Sequence, residues 1–286
     1  MLDVVVLIDS EIHYGSDTPA KISTHGGGAA ANTATWLAKE GNEVFFVSRT
    51  GDDAAAQAVI SELDMWKIQH KDLRKQGSKT GVVVVLVDET GQRTMFPDSG
   101  ANSGLDDSDL PELVGFDAVY LSGYSLFNKA STGGVEKIIK AVKAAKIPLF
   151  FDPASVGTIF HFGKEKALRY LSEMDVLLLN EEEALFLTGT TSHSEALQEL
   201  RKICGTVVIK RGPLGAIGSH FESEAVLAET VRLTPVDTTG AGDAFAAGFI
   251  PAWIKTKDLY QAMNNGNTVA ARCVAIIGAR PSVNPQ

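Results

Sequence analysis

The second half of the chain follows one dominant pattern, in which short apolar runs alternate with segments of helical character. Uninterrupted apolar runs are typical of strands buried on both faces, and such strands belong to parallel sheets covered by helices on either side. The pattern predicts strands at residues 118–121, 149–151, 176–179 and 207–209, and helices at residues 134–145, 164–172, 181–187, 194–202, 243–253 and 259–276. It therefore predicts a three-layer α/β/α core with a mostly parallel sheet.

The first hundred residues have a more polar texture. Residues 21–24 and 93–96 alternate loosely, as strands with one solvent face do, and residues 81–88 read as a strand that leads into a tight turn and a return strand. They predict a small β-sheet lid built from approximately residues 3–25 and 79–98. A helix over 32–40 and a buried strand over 44–47 are expected between these lid segments. No repeat or long linker divides the sequence, so we expect one domain over residues 1–286.

The composition excludes several functional classes. The chain has 286 residues, with 26 Lys and Arg against 35 Asp and Glu, a formal charge of −9 that disfavours nucleic-acid binding. The two cysteines, Cys204 and Cys273, have no metal-ligand spacing and are expected to be buried thiols. No signal peptide and no apolar run of membrane-spanning length is present, which predicts a cytoplasmic protein without a membrane partner.

The most specific motif is DTTGAGD, which runs from Asp237 to Asp243 at the start of a predicted helix. The small residues Gly240, Ala241 and Gly242 let backbone N–H groups approach a ligand closely, and the helix dipole favours an anion there. A carboxylate at this place suits a base that takes a proton from an attacking hydroxyl group while the N–H groups hold phosphoryl oxygens. The alternative is an ordinary helix cap followed by a glycine turn.

A second glycine-rich segment covers residues 25–34, HGGGAAANTA. Gly26, Gly28 and Ala31 match the GxGxxA form of the dinucleotide-binding fingerprint, but the residues before them are too polar for the buried strand that this fingerprint requires. We therefore interpret the segment as a flexible joint that admits a polyhydroxy ligand. Asn32 offers such a ligand both hydrogen-bond donors and acceptors.

Two further segments follow predicted strands. Asn180 and Glu183 lie three residues apart, so they share one face of a helical turn beyond a strand end, where α/β sheets bind ligands. The pair could hold water around a phosphate-bound Mg²⁺, or could equally be a helix cap with acids in the first turn. The turn over residues 210–216, KRGPLGA, could line a nucleotide or close a hairpin. No Walker A motif is present, which excludes a P-loop kinase.

Together these motifs resemble the ribokinase-like (PfkB) family of carbohydrate kinases. The segment around Gly27 and Gly28 is similar to the family's N-terminal signature, and DTTGAGD is similar to its C-terminal signature. Asn180 and Glu183 lie between them, as the family's metal-linked motif does. The resemblance covers essentially the whole chain. It implies a ribokinase-like fold and a transferase that phosphorylates a hydroxymethyl group of a sugar, with ATP and Mg²⁺.

The resemblance also implies a role for each candidate residue. Asp243 would be the general base, and the anion hole would be formed by Gly240, Ala241 and Gly242. The acceptor would be contacted by Asp3, Gly27, Gly28, Asn32 and Asp98. The nucleotide and its Mg²⁺ would be held by Asn180, Glu183 (through water), Lys210, Gly212, Gly215, Thr238 and Asn267. A monovalent cation, expected to be K⁺, would be held by Asp237, Thr239, Gly278 and Ser282.

Two departures from the family pattern concern the fold. Asp3 and residues 4–7 match the acceptor-binding Asp and its lid strand, whereas the core strand that normally precedes that Asp has no counterpart. Loss of a buried strand would expose its neighbours' backbone groups, so we expect a start codon that is assigned too late. The second departure is Pro251, which removes an N–H inside the helix of Asp243 and predicts a kink beyond the catalytic turn.

Other functions stay open at this point. The chain could be a nucleoside kinase of the same family, a non-catalytic sugar or nucleotide sensor, or, on the glycine fingerprint alone, a dinucleotide-dependent oxidoreductase. Ribose, fructose, a keto-deoxy sugar acid or a nucleoside would all fit the acceptor residues. Arg93 is the nearest cationic candidate in the presumed pocket segments, and the lack of an Arg or Lys cluster there weighs against a phosphorylated acceptor. A homodimer through the lid is expected.

Overall fold

The computed structural model describes residues 1–89 and 92–282, and its larger sheet has six strands. In chain order they are β5 (Val119–Ser122), β6 (Leu149–Asp152), β7 (Val176–Asn180), β8 (Thr206–Lys210), β9 (Ala216–His220) and β10 (Val226–Ala228). They lie side by side in this order. The four strands β5 to β8 are parallel, and β9 and β10 are antiparallel to their neighbours. The predicted mostly parallel sheet is confirmed.

Helices cover both faces of this sheet. In the described residues they are α1 (Ala29–Lys39), α2 (Ala54–Met65), α3 (Gly123–Leu126), α4 (Thr132–Ala144), α5 (Val156–Phe162), α6 (Lys164–Leu171), α7 (Glu181–Thr188), α8 (His193–Arg201), α9 (Ala241–Thr256) and α10 (Leu259–Val274). Short 3₁₀ turns lie at Gly100–Gly104, Asp107–Asp109 and Gly212–Leu214.

The core consists of one apolar cluster on each face of the sheet. Successive side chains of a strand point to opposite faces. In β7, Leu177 and Leu179 accordingly pack with the buried side of α4 to α8, whereas Leu178 packs with α9 and α10. Burial of each leucine contributes roughly 1.5–3 kcal/mol. The two clusters therefore make the three-layer arrangement and fix where each strand ends, which is what positions the site.

The smaller sheet is the lid. Its strands are β1 (Leu2–Leu7), β2 (Lys21–Gly26), β3 (Val82–Val87) and β4 (Arg93–Asp98), in the spatial order β2-β1-β3-β4. The β1–β3 pair is parallel and the other two pairs are antiparallel. One row of side chains lines a cleft against the core. The opposite row forms an apolar outer face that includes Val4, Val6, Ile22, Val84 and Phe96, with Ile22 and Phe96 well exposed.

The N-terminal strand belongs to the lid and not to the core. Within the described residues, β5 is an edge strand of the core sheet that pairs only with β6. The predicted strand over residues 44–47 was wrong as a core strand. Within this segment Phe45 makes an isolated parallel bridge to Gln69, and shortly after it Thr50 makes another to Arg74. Both bridges lie outside the two sheets. The expectation about the start codon stays a prediction.

Every predicted helix is present with ends shifted by a few residues, while α2, α3 and α5 were not predicted. Helix α9 continues through Pro251 to Thr256, so the proline does not end it. Both cysteines are buried and free, as expected. No helix within residues 1–89 and 92–282 combines the length and apolarity that crossing a bilayer would require.

Candidate active site

A continuous cleft of about 2680 Å³ runs between the inner face of the lid and the carboxyl ends of β6, β7 and β8. Parallel sheets bind ligands at this end of their strands. Pockets for one small molecule measure about 300–1,000 Å³, so the cleft has room for two substrates side by side. It is lined by both glycine-rich segments, by the Asn180–Glu183 pair and by the turn after β8.

The DTTGAGD motif forms the start of α9 at the floor of the cleft. Gly240 caps the helix with a φ of +75°, and a Cβ there would lie 2.6 Å from the Cβ of Ala279, so the position requires glycine. A Cβ on Gly242 would lie 3.1 Å from Lys210 Nζ. Because the first N–H groups of a helix have no partner within the helix, this turn can accept an anion.

Asp243 lies in the first turn of α9 and lines the same cleft. Asn32 of α1 donates a hydrogen bond from Nδ2 to its Oδ2 at 2.9 Å. Burial raises the pKa of Asp243 to about 7, aided by the nearby charge of Asp152, while Asn32, Lys210 and Arg280 act in the opposite direction. A carboxyl group with this pKa can take a proton near neutral pH.

Beside Asp243 lies a cluster of two more carboxylates and one lysine. Lys210 ends β8 and Asp152 ends β6, and their ion pair joins Nζ to Oδ2 at 2.5 Å. Burial alone would lower the pKa of Lys210, but the carboxylates of Asp152 and Glu183 outweigh this effect and raise the pKa. Three carboxylates share this one ammonium group in the cluster, so the local charge is negative.

Asn180 and Glu183 form a capping box at the start of α7. Asn180 Oδ1 accepts from the backbone N–H of Glu183 at 2.8 Å, and Glu183 Oε2 accepts from the backbone N–H of Asn180 at 2.9 Å. The cap interpretation is therefore correct, and both residues also line the cleft. Burial and the charge of Asp152 raise the pKa of Glu183 to about 7.

The acceptor end of the cleft contains Asp3, Gly27, Gly28 and Asn32. Asp3 Oδ1 is buried and has no hydrogen-bond partner among the described residues. A Cβ on Gly27 would lie 1.9 Å from this atom, so only glycine allows the carboxylate to sit here. Burial raises the pKa of Asp3. A buried polar atom without a partner is costly, and a ligand hydroxyl group would satisfy it.

Asp98 is placed differently from the other acceptor residues. In the register of β3 and β4 it lies opposite Val82, in the row of side chains that faces away from the cleft. Its Oδ1 accepts from the backbone N–H of Gly100 at 3.0 Å. The structure therefore separates Asp98 from Asp3 and Asn32, and we do not carry it into the acceptor site.

Arg280 is a site residue that the sequence analysis missed. Its Nε donates to Asn32 Oδ1 at 2.9 Å, its Nη2 donates to the carbonyl of Gly27 at 3.0 Å, and its Nη1 forms an ion pair with Glu62 at 2.9 Å. It therefore holds the glycine joint and fixes the orientation of the Asn32 amide. No spacing rule pointed to it, because it follows α10 and lies 248 residues from Asn32.

The predicted nucleotide residues Lys210, Gly212, Gly215, Thr238 and Asn267 all line the cleft. The turn after β8 also closes a hairpin, since β8 and β9 pair across it. Both interpretations of this turn therefore hold in part. Asn267 Nδ2 donates to the carbonyls of Ala228 and Glu229, which leaves its oxygen to meet a ligand.

The four residues expected to hold a monovalent cation also line the cleft. Asp237 Oδ1 accepts from the N–H and the hydroxyl group of Thr239, and Asp237 Oδ2 accepts from the N–H of Gly278. Arg93 of β4 adds an ion pair to Oδ1 at 2.5 Å. Although burial opposes the effect, these hydrogen bonds and the charge of Arg93 lower the pKa of Asp237.

Comparison with known proteins assigns the chain. The pfkB family of carbohydrate kinases matches residues 5–286. The chain belongs to this family. A fructokinase from Vibrio alginolyticus is 31% identical over 231 residues, which are 78% of this chain and 75% of the relative. The chain is thus a carbohydrate kinase that uses ATP. The alternative of a dinucleotide-dependent oxidoreductase is wrong. Gly26 ends an antiparallel strand of the lid, whereas the dinucleotide fingerprint requires a buried parallel strand before its glycines.

Solved structures support the ribokinase fold. Arabidopsis thaliana ribokinase in complex with ribose and ATP aligns with a TM-score of 0.82 at 27% identity, over 97% of this chain and 91% of that one. A double-mutant fructokinase from Vibrio cholerae with fructose, ADP and potassium ion aligns with a TM-score of 0.81 at 25% identity, over 99% and 92%. An adenosine kinase from Sinorhizobium meliloti aligns with a TM-score of 0.88 at 22% identity, over 98% and 93%, and shows the fold alone.

The raised pKa of Asp243 predicts a pH-dependent effect on stability. Its folded-state pKa of about 7 exceeds the ordinary 3.8, so the folded protein binds more protons than the unfolded chain between these pH values, and stability falls as pH rises through them. We expect Asp243→Asn to raise Tm by a few degrees at pH 8 and to have little effect at pH 5. Thermal unfolding at both pH values measures this.

The control is Asp117→Asn, which neutralises an exposed carboxylate. Its Tm difference from the unmodified protein should stay small at both pH values. A stabilisation by Asp243→Asn that is the same at pH 5 and pH 8, or a loss of stability at pH 8, would show that burial does not raise this pKa.

Proposed function

We propose that the chain phosphorylates a hydroxymethyl group of a sugar, with Asp243 as the general base. The observation that carries this proposal is the position of Asp243 in the first turn of α9, directly after the glycine cradle and with a pKa of about 7. Its carboxylate takes the proton of the acceptor hydroxyl group. The oxygen then bonds to the γ-phosphorus of ATP, the bond from that phosphorus to the β-phosphate oxygen breaks, and ADP leaves.

The developing charge on the phosphoryl oxygens needs donors that are already in place. We assign this role to the N–H groups of Gly240, Ala241 and Gly242 and to Lys210. Lys210 is suited to it because the position of a Cβ on Gly242 lies only 3.1 Å from Nζ, so that the ammonium group borders the cradle. Asp152 positions Lys210 through their ion pair.

The excess negative charge around Lys210 fits a magnesium ion. Among the described residues no group of three or more His, Cys, Asp or Glu side chains could cage a metal, whereas Mg²⁺ commonly keeps several waters and uses one or two carboxylates with substrate phosphates. We propose that Glu183 and Asp152 hold those waters and that Asn180 orients Glu183. When bound, the ion neutralises charge on the triphosphate.

At the nucleotide end, the turn after β8 and α10 offer an adenine-sized part of the cleft. Gly212 is exposed and leaves backbone surface uncovered there, and Gly215 also lines the cleft. Asn267 offers its amide oxygen, and Thr238 lies near the cradle. These contacts are assigned to the adenosine part of ATP. They place the triphosphate along the line from this turn to the start of α9.

At the acceptor end, the pocket favours a neutral polyhydroxy compound. Asp3 and Asn32 offer hydrogen-bonding groups beside Gly27 and Gly28. Arg280 donates hydrogen bonds to Asn32 and to the carbonyl of Gly27 and forms an ion pair with Glu62. Because Glu62 balances the charge of Arg280, an acceptor phosphate would have to compete with this carboxylate for the guanidinium group. A nucleoside is the second candidate, because its ribose carries the same hydroxymethyl group.

The lid contributes two surfaces to this function. Its inner row closes over the acceptor and excludes water from the reaction. The apolar outer row, with Ile22 and Phe96 exposed, supports the expected homodimer, since an apolar sheet face of this kind is commonly covered by a partner. The homodimer itself stays a prediction.

The assigned base predicts a large loss of turnover. Asp243→Asn should lower kcat by about 10²–10⁴-fold, because no group then takes the acceptor proton. Binding of ATP with Mg²⁺ should persist and still raise Tm. The measurement is acceptor-dependent release of ADP across a panel of sugars and nucleosides, with Asp117→Asn as the control. A near-normal rate in Asp243→Asn would refute the role of this residue.

The carboxylate–lysine cluster predicts how the pH profile moves. In the unmodified enzyme, kcat/KM for the acceptor should rise with pH to a plateau, with a midpoint near the Asp243 pKa of about 7. Asp152→Asn removes a negative charge that raises this pKa, so the midpoint should move to lower pH. Lys210→Met removes a positive charge that lowers it, so the midpoint should move to higher pH. Shifts in the same direction would contradict this arrangement.

The unpartnered oxygen of Asp3 predicts an effect on the acceptor alone. A hydrogen bond to a charged group contributes roughly 1.5–3 kcal/mol, so Asp3→Ala should raise the acceptor KM by about 10–100-fold while the KM for ATP stays unchanged. Asp98→Ala is the matched control, since it removes a lid carboxylate on the outer face. Unchanged acceptor KM and kcat in Asp3→Ala would exclude Asp3 from the site.

A further inference from the structure

Four hydrogen bonds reach the carboxylate of Asp237, three on Oδ1 and one on Oδ2. An ionised carboxylate offers about four lone-pair positions. Oδ1 accepts from Thr239 N at 2.8 Å, from Thr239 Oγ1 at 2.7 Å and from Arg93 Nη2 at 2.5 Å, and Oδ2 accepts from Gly278 N at 2.9 Å. The side chain of Asp237 is only 11% exposed. An additional cation would meet a carboxylate whose negative charge the Arg93 guanidinium group already balances.

Among these four donors only Arg93 carries a charge, and it belongs to the lid. Arg93 is the first residue of β4 and lies opposite Val87, in the row of lid side chains that lines the cleft. Its side chain is 26% exposed, so the guanidinium group is partly withdrawn from water at the contact. The donors from Thr239 and Gly278 are neutral, and neither belongs to the lid: Thr239 lies in the loop over residues 237–240 before α9, and Gly278 follows α10.

We propose that the Arg93 guanidinium takes the place of the monovalent cation beside the anion hole, so that this kinase works without K⁺. Asp237 is hydrogen-bonded to Thr239 and Gly278, and Ser282 lines the same cleft. These four residues expected to hold K⁺ nevertheless do not fit the ion, because the carboxylate that would balance its charge is bonded to Arg93. A second positive charge at the same carboxylate would also be repelled by the guanidinium group.

The inference rests on the proposed function, since the loop that Asp237 anchors leads directly into the cradle of α9. Asp237 holds Thr239 by two hydrogen bonds, and Thr239 immediately precedes Gly240. A cation at Asp237 therefore helps to fix the N–H groups that meet the phosphoryl oxygens. Arg93 acts through this loop as a positioning residue.

Because the Arg93 guanidinium group is part of the lid, the conformation of the loop that contains Asp237 depends on the position of the lid. Strand β4 of the lid contacts the loop before α9 through the ion pair of Arg93 with Asp237. Withdrawal of β4 would remove the positive charge from the loop and leave Asp237 with neutral donors only. A free ion would not make this link, since it binds to the core whether or not the lid is closed.

The test compares the unmodified enzyme with Arg93→Ala while KCl replaces tetramethylammonium chloride at constant ionic strength. The unmodified enzyme should have the same kcat in both salts. Arg93→Ala should lose about 10–100-fold in kcat without K⁺, because a displaced cradle misaligns the phosphoryl group. Added K⁺ should restore much of this activity, as the ion enters the position that the guanidinium group has left. A merely structural arginine would not respond to K⁺.

Two variants serve as controls. Arg93→Lys keeps a lid cation and should keep more activity than Arg93→Ala without K⁺, and Lys21→Ala removes an exposed lid cation on β2 and should behave as the unmodified enzyme in both salts. If Arg93→Ala does not fold, the K⁺ response of the unmodified enzyme still decides. A kcat of the unmodified enzyme that rises strongly with K⁺ would overturn the proposal.

A second readout does not depend on turnover. K⁺, compared with tetramethylammonium, should raise the Tm of Arg93→Ala and leave that of the unmodified protein unchanged. If no acceptor on the panel is phosphorylated, the proposed acceptor class is wrong while this measurement still tests Arg93. A K⁺-specific stabilisation of the unmodified protein that equals the one in Arg93→Ala would overturn the inference by itself.

Discussion

The buried ion pair between Lys210 and Asp152 joins the carboxyl ends of β8 and β6, on either side of β7. Two charges leave water at this point, and such a pair is tolerated only where further polar partners surround it. Here the surroundings are Glu183 and Asp243, which also line the cleft. Burial, together with the negative charge of Asp152, raises the pKa of both carboxyl groups, and this negative charge suits a triphosphate that arrives with its own cation.

The fold brings these groups together by strand ends and helix starts. Asp152, Asn180 and Lys210 are the last residues of three neighbouring parallel strands, and Asp243 lies in the first turn of α9. Parallel strands place their carboxyl ends at one edge, so residues far apart in sequence become neighbours without any special loop. The lid completes the cleft from the other side with Asp3 and Arg93.

The sequence predicted the core layers, the lid and the glycine cradle because each depends on a local pattern. Asp152 directly follows a predicted strand but had no motif around it, so its pairing with Lys210 could be seen only in three dimensions. The role of Arg280 and the partner of Arg93 were beyond reach for the same reason, since both arginines contact residues more than 140 positions away. Residues 44–47 look like a buried strand, yet they lack a second neighbour and make only isolated bridges.

Asn180 and Glu183 combine two duties in the same atoms. Their side chains close the first turn of α7, and the same turn faces the nucleotide end of the cleft. Because the bonds that start the helix also fix the carboxylate, Glu183 needs no supporting residue from elsewhere in the chain. A substitution of either residue would fray the start of α7 and also change the lining of the cleft. The identity of both residues is therefore constrained twice, independently of the sugar that the lid end of the cleft accepts.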